Sequence, residues 1–337
     1  MSFLAVLLAL VLEQVRPLSP TNVLHAGLRA WVRVISGNLD AGRTTHGYLA
    51  WAAAVAVPAV LAMVVHHLLW QLHPVLAYLW NVGLLYLTLG FRQFSHHFTA
   101  IRDALDVGDE DQARSALARW QQVDVGQLPR SEIVRHVIEH SVLAAHRHVF
   151  GVLSCYCIGA ALGLGPAGAV LYRLSEFASR YWSHKSSQPG EGVSPALLRV
   201  AEQAWALIDY LPARMTAVAF AVVGSFEDAV DSWRQCTQSL AGLAWASVER
   251  NQAVVLAATA GAVQVRLGGS PLSGFAPNAA DASDTSDVPL PQPLGSLGAG
   301  GRTPELAHLR SVVGLVWRSV VLWMVLLALL TLARLLG

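Results

Sequence analysis

Between Leu49 and Trp70 the chain runs for 22 residues without a formal charge, and Val312 to Ala333 is a second run of the same length with Arg318 as its one ion. A helix rises about 1.5 Å per residue, so either run spans the ~30 Å apolar layer of a bilayer. The rest of the composition agrees. Charged residues are 13% of the 337, hydrophobic residues are 54%, and the mean hydropathy is +0.46. One water-soluble core cannot enclose that much apolar surface. The same figures exclude a largely disordered chain. A net charge of +1 excludes a polybasic nucleic-acid binder, so no nucleic acid is expected as a partner. The expected fold is all-α, a polytopic integral membrane helical bundle in contact with lipid.

The order of the segments follows from the same pattern. Met1 to Val15 is apolar but short for a span. Leu28, Trp31, Val32 and Ile35 recur at helical spacing with Arg29 and Arg33 on another face, which suits a helix in the membrane interface or one packed on the protein itself. Leu49–Trp70 and Val75–Phe91 form a membrane hairpin across the turn at Gln71-Leu72-His73-Pro74. Pro58 is tolerable inside a membrane helix. Residues 92–148 hold seven arginines and eight acids and read as a small soluble helical insertion, with helices opening at Asp109 and after Pro129. Val149–Tyr172 reads as a third apolar run, rich in glycine and alanine. Ala196–Val223 reads as a helix interrupted at Pro212, and Ala253–Val265 as a short, re-entrant candidate. The division is then a membrane domain over 1–269, a flexible linker over 270–304 and a C-terminal transmembrane helix over 305–337. Arg16, Arg29, Arg33 and Arg43 place the segment before the hairpin, and with it the insertion, in the cytoplasm of a multi-pass protein of the bacterial inner membrane.

Several groups are candidates for chemistry. His136-Val137-Ile138-Glu139-His140 spells an inverted zinc-peptidase pattern that needs a third ligand, with Glu176 or Glu202 as candidates by chain distance. The preferred reading is an Arg135–Glu139 ion pair along one helix face. His146-Arg147-His148 reads as a headgroup anchor at the end of a span. Asp209 and Arg214 flank Tyr210-Leu211-Pro212-Ala213, and an ionisable group in a membrane helix is a functional-site candidate by default. Arg173, Arg266 and Arg318 either bind an anionic group or reach lipid phosphates. The three cysteines, Cys155, Cys157 and Cys236, offer neither a disulfide framework nor metal spacing.

Three stretches together resemble the CobD/CbiB family of membrane proteins: Tyr210-Leu211-Pro212-Ala213-Arg214-Met215-Thr216-Ala217, Ala260-Gly261-Ala262-Val263-Gln264-Val265-Arg266-Leu267-Gly268-Gly269, and the helix pair around Leu105–Asp109 with Gln112-Ala113-Arg114. The resemblance covers roughly residues 1–270. It implies a late step of cobalamin synthesis. There aminopropanol or its phosphate is joined to a corrinoid, adenosylcobyric acid, by an amide, giving adenosylcobinamide or its phosphate, with ATP and Mg²⁺ driving the condensation. The residues carried into a site on this reading are Arg214 and Arg266 for anionic groups, Asp209 and Glu139 as polar members, and Arg173. The chain departs from the family pattern at five places. Arg16-Pro17-Leu18-Ser19-Pro20 stands where the family has its early Gly-Asp-Pro and Pro-His-Pro signatures. Ala145–Gly151 stands where the family has Ala-Glu-Asn and Asp-Gly, and Glu176–Arg180 where it has Asn-Thr-Leu-Asp-Ser. Trp205-Ala206 stands where it has an Asp pair, and Ser247–Asn251 where it has Ser-Pro-Asn. The alternative reading is a non-catalytic signalling or scaffold protein like the distantly related AmpE proteins. A transporter is disfavoured by the lack of matched broken helices. A homo-oligomer stays open. After cell lysis and ultracentrifugation without surfactant, the protein is expected in the membrane pellet; recovery in the supernatant would overturn the membrane reading.

Overall fold

The computed structural model describes residues 2–16, 23–121, 126, 128–187, 192–269, 297–298 and 300–336, with the side chains of 2, 23–25, 91–96, 121 and 334–336 left aside. Most of the expected linker, 270–296 and 299, lies outside the described residues. The described chain forms twelve helices and no strand. They are α1 (Ser2–Val15), α2 (Val23–Leu39), α3 (Thr44–Leu72), α4 (Pro74–Thr88), α5 (Phe91–Asp106), α6 (Glu110–Gln121), α7 (Arg130–Ala161), α8 (Ala167–Ser186), α9 (Pro195–Val223), α10 (Phe226–Ser239), α11 (Val248–Val263) and α12 (Leu306–Leu336). Four of them, α3, α7, α9 and α12, are long and apolar enough to cross a membrane. On α3 Val57, Val60, Leu61, Val64 and Leu68 face outward, and on α12 Val321, Val325, Leu329 and Leu330 do. An exposed apolar surface of that extent suits lipid, not water.

The hairpin of α3 and α4 forms as its sequence indicates. Trp80 Nε1 donates to the Ala62 carbonyl at 3.1 Å across the pair, and His73 caps α4 by accepting the Val75 amide. Pro58 brings no N–H to the Ala54 carbonyl four residues earlier. One π-helical turn, Ala52–Ala56, precedes the ring, and Trp31 Nε1 of α2 donates to the Ala54 carbonyl at 3.3 Å. Of the two readings of α2, the structure has the helix packed on the protein: Val32, with Leu28, Ile35 and Leu39, joins Val55 of α3 and Phe177 of α8 in one cluster.

In the charged region α5 and α6 stand as read, with Asp109 accepting the Gln112 amide at 2.9 Å and Arg114 pairing with Asp111 and Glu110. The third helix differs. It begins after Pro129 as expected but does not end at 148; it continues as α7 through a π turn at His146–Phe150 to Ala161. Nor is Val149–Tyr172 one span. The chain turns over between α7 and α8, with Gly163 (φ 76°) and Gly165 (φ 58°) in the left-handed region that favours glycine. Hydropathy counts apolar side chains and passes over such a turn. The small residues of this run serve the hairpin instead. Gly159 lies against Gly168, Gly151 lies under the Tyr172 ring, and a Cβ on Gly168 would overlap the Cys155 carbonyl.

Ser194 caps α9 by accepting the Leu197 amide, while Asp40 accepts the Ser194 N–H at 2.7 Å. The apolar stretch read as short and re-entrant is α11, a helix whose residues Asn251 to Gly261 are all buried. It packs between α9 and α10, where Gly224 meets Ala262 and Gly261 meets the Asp228–Ala229 backbone. Beyond α11, Leu267 pairs with Leu297 through two backbone hydrogen bonds, and Arg266 and Gln264 bond Arg302. The far end of the expected linker is therefore docked, with Leu297 buried. Gly168→Ala is expected to destabilise the protein by about 1–3 kcal/mol, the usual cost of overpacking. Gly83→Ala, with open space around it, should not. Thermal unfolding in detergent compares the two.

Candidate functional site

Asp209 of α9 is 3% exposed, inside an apolar helix. Two neighbouring helices satisfy it. His146 Nε2 of α7 lies 2.9 Å from Oδ1, and the Tyr172 hydroxyl of α8 donates to the same oxygen at 2.8 Å. His146 Nδ1 meets Thr216 Oγ1 at 2.9 Å, and Thr216 in turn donates to the Pro212 carbonyl, one turn back on α9. The π turn of α7 makes this possible. A wider turn shifts the angular register of the side chains it carries, so consecutive residues serve three neighbours: His146 reaches Asp209, Arg147 lines a cleft, and His148 Nδ1 meets Arg173 at 2.9 Å.

The cleft has a volume of about 360 Å³ and lies between α7, α8, α9 and the start of α11. Arg147, Glu176, Arg180, Glu202 and Glu249 supply its charges, with Trp205 and Ala206 in its wall. Glu176 is 1% exposed and held between Arg173 at 2.9 Å and Arg180 at 2.7 Å. Glu202 and Glu249 are near enough for their like charges to act on one another. The Tyr172 ring stands edge-on to Trp205, centroids 5.0 Å apart, so the Asp209 cluster lies directly behind the wall. Four of the five segments at which the sequence departs from the CobD/CbiB pattern contribute to this one cleft: Arg147, then Glu176 with Ser179 and Arg180, then Trp205 with Ala206, then Ser247 to Glu249; the fifth, at 16–20, lies outside the described residues from 17 on.

The candidates singled out in the sequence divide. Asp209 and Arg173 stand immediately behind the cleft. Arg214 is placed one step further, over the Tyr210 ring and donating to Asn251 Oδ1 at 2.7 Å; Asn251 donates to the Ala206 carbonyl at 2.9 Å. Glu139 and Arg266 do not line the cleft. Glu139 pairs with Arg135 at 3.1 Å and accepts the Gly268 amide at 2.7 Å, fixing the segment after α11. Arg266 is exposed and donates to the Gly301 carbonyl at 3.1 Å. Within the zinc-like pattern His136 lies 2.9 Å from Arg135, and His140 meets the edge of the Trp120 ring. Arg147, Arg180 and Glu249 were not picked out as site residues from the sequence. Glu202, set beside Gln203 in an otherwise apolar segment, was the one available signal.

Among the described residues no group of three or more His, Cys, Asp or Glu side chains could hold a metal ion. Mg²⁺ is held by carboxylates together with water and substrate oxygens, whereas the one buried carboxylate of this cleft, Glu176, is already paired with two arginines. The described residues do not fit a resident Mg²⁺, and a nucleotide would carry its own metal in as part of the substrate.

Tyr172→Phe removes one donor from a buried carboxylate and is expected to cost about 1.5–3 kcal/mol. In the His146→Ala background the same change should cost a different amount, because both donors serve one oxygen. A double-mutant cycle on unfolding in detergent measures the coupling.

Comparison with known proteins follows the same lines. The family model described as CobD/Cbib protein matches residues 2–273. The chain is 30% identical over 292 residues to a Stutzerimonas stutzeri protein named "Cobalamin biosynthesis protein CobD", covering 87% of this chain and 84% of that one. It is 32% identical over 202 residues to a Chromobacterium violaceum protein of the same name, covering 58% and 57%. No solved structure matches. On the extent of the family match and of the first relative, the chain belongs to the CobD/CbiB family.

Proposed function

We propose that this protein works in cobalamin biosynthesis as a multi-pass protein of the bacterial cytoplasmic membrane. It joins aminopropanol or its phosphate to adenosylcobyric acid through an amide, yielding adenosylcobinamide or its phosphate. The observation that carries the reading is the likeness to a protein named for cobalamin biosynthesis along 84% of that protein's length. The convergence of four sequence segments on one charged cleft supports it.

On this reading the size of the cleft favours different places for the two substrates. Small-molecule sites occupy about 300–1,000 Å³, and 360 Å³ is at the small end of that range. A short amine fits. A corrin ring with its amide side chains does not, so the corrinoid presents one carboxyl group at the mouth while the amine waits inside. Holding both partners turns a bimolecular encounter into a step between fixed neighbours. Condensing a carboxylic acid with an amine in water also needs the acid activated, and ATP is the co-substrate we assign to that role.

A strain lacking this gene and fed cobyric acid is expected to make no cobinamide, and the full-length chain supplied in trans should restore it. Normal conversion in the deletion strain would overturn the assignment. Failure of the membrane-inserted chain to restore conversion would favour a non-catalytic, AmpE-like role.

A further inference from the structure

The charges in the cleft are sorted by helix. The cations come from α7 and α8, as Arg147 and Arg180; the acids Glu202 and Glu249 come from α9 and α11. Glu176 belongs to the cationic side, where Arg173 and Arg180 already neutralise it. Glu202 and Glu249 are in a different position. Their negative charges act on each other, and among the described residues neither has a hydrogen bond or ion pair. Glu202 is exposed and Glu249 half-buried, and a cation placed between two like charges relieves their repulsion. Facing them is Arg147, more than nine-tenths buried, whose planar fork suits the oxygens of a phosphate.

We propose that the cleft seats a small zwitterion, with its ammonium between Glu202 and Glu249 and its phosphate toward Arg147 and Arg180, and that it does so without a divalent cation. An ammonium offers three donors and no acceptor, which two carboxylates can share. Charge-assisted bonds at both ends fix the molecule's direction in the cleft as well as its affinity. The identity of the ligand as the amine substrate rests on the function proposed above; the two-ended charge recognition rests on the cleft.

The test uses the full-length protein in detergent, calorimetry and three probes: aminopropanol phosphate, aminopropanol and inorganic phosphate, all with EDTA present. Aminopropanol phosphate should bind. Glu202→Gln with Glu249→Gln should weaken both amines by about tenfold or more, the scale of a lost hydrogen bond to a charged group, and leave inorganic phosphate unchanged. Arg147→Gln should weaken the two phosphate-bearing probes and leave aminopropanol unchanged. Each variant is checked by its melting transition, and if Arg147→Gln fails to fold, the less buried Arg180→Gln carries that arm. Binding abolished by EDTA and restored by Mg²⁺ would overturn the proposal in favour of a metal bridging the two acids and the phosphate. Equal losses for all three probes in every variant would overturn it too. If the probes behave as expected while the deletion strain still makes cobinamide, the zwitterion site stands and the proposed function fails. If complementation succeeds while the double glutamine variant binds normally, the reverse holds.

Discussion

A carboxylate enclosed in apolar helices has to be matched by polar partners, and Asp209 meets both of its partners on other helices. An acid at the centre of a membrane costs about 2.5–3.5 kcal/mol on insertion scales before it finds partners. His146 of α7 and Tyr172 of α8 remove that cost only if the three helices hold one relative rotation and height. The same rotation sets the cleft. Arg147 follows His146 directly, Glu176 lies one turn beyond Tyr172, and Trp205 lies one turn before Asp209. The buried knot is thus the means by which a four-helix wall presents its charges to one space. The glycine contacts between α7 and α8 bring the backbones near enough for Tyr172 to cover Gly151 and reach across.

Much of the helical framework was legible because apolar length and turn chemistry are local properties. The α3–α4 hairpin, the Asp109 start of α6, the start of α7 after Pro129 and the Arg135–Glu139 pair all depend on residues within a few positions of each other. What depended on distant neighbours was not legible. Glycine- and alanine-rich sequence between 149 and 172 reads the same whether it crosses a membrane or doubles back, and only the left-handed Gly163 and Gly165 decide. His146-Arg147-His148 resembled a headgroup anchor because charged triplets often end a span. In the fold all three are buried, because this helix is enclosed by its neighbours on every side: Ile133–Glu139 and Ser141–Ala145 before the π turn are buried as well. The cleft itself draws on four helices, and no sequence window contains it.

The block from Ala260 to Gly269 serves shape more than chemistry. Glu139 takes the Gly268 amide while Arg135 balances its charge. Leu267 and Arg266 use their backbones to receive Leu297 and Arg302. Gly261 lets α10 lie against α11. Arg266 therefore contributes its main chain and a bond to Gly301, not a hand in the cleft.

The four departures from the family pattern that line the cleft bear on whether it is in use. Lost function in a buried polar site is expected to end in apolar replacements, because an ion kept out of water costs several kcal/mol unless it is paired and hydrogen-bonded. Here one departure did go that way, at Trp205-Ala206. Two others put Arg147, Glu176 and Arg180 into the wall, and the fourth puts Glu249 there. Those charges are not scattered: Arg147 and Arg180 come from α7 and α8, Glu202 and Glu249 from α9 and α11, and the buried acid on the cationic side, Glu176, is compensated twice. A scaffold protein would gain from filling such a cleft with leucine. A cleft that stays open and charged supports the reading of a binding or catalytic protein over that of a filled scaffold.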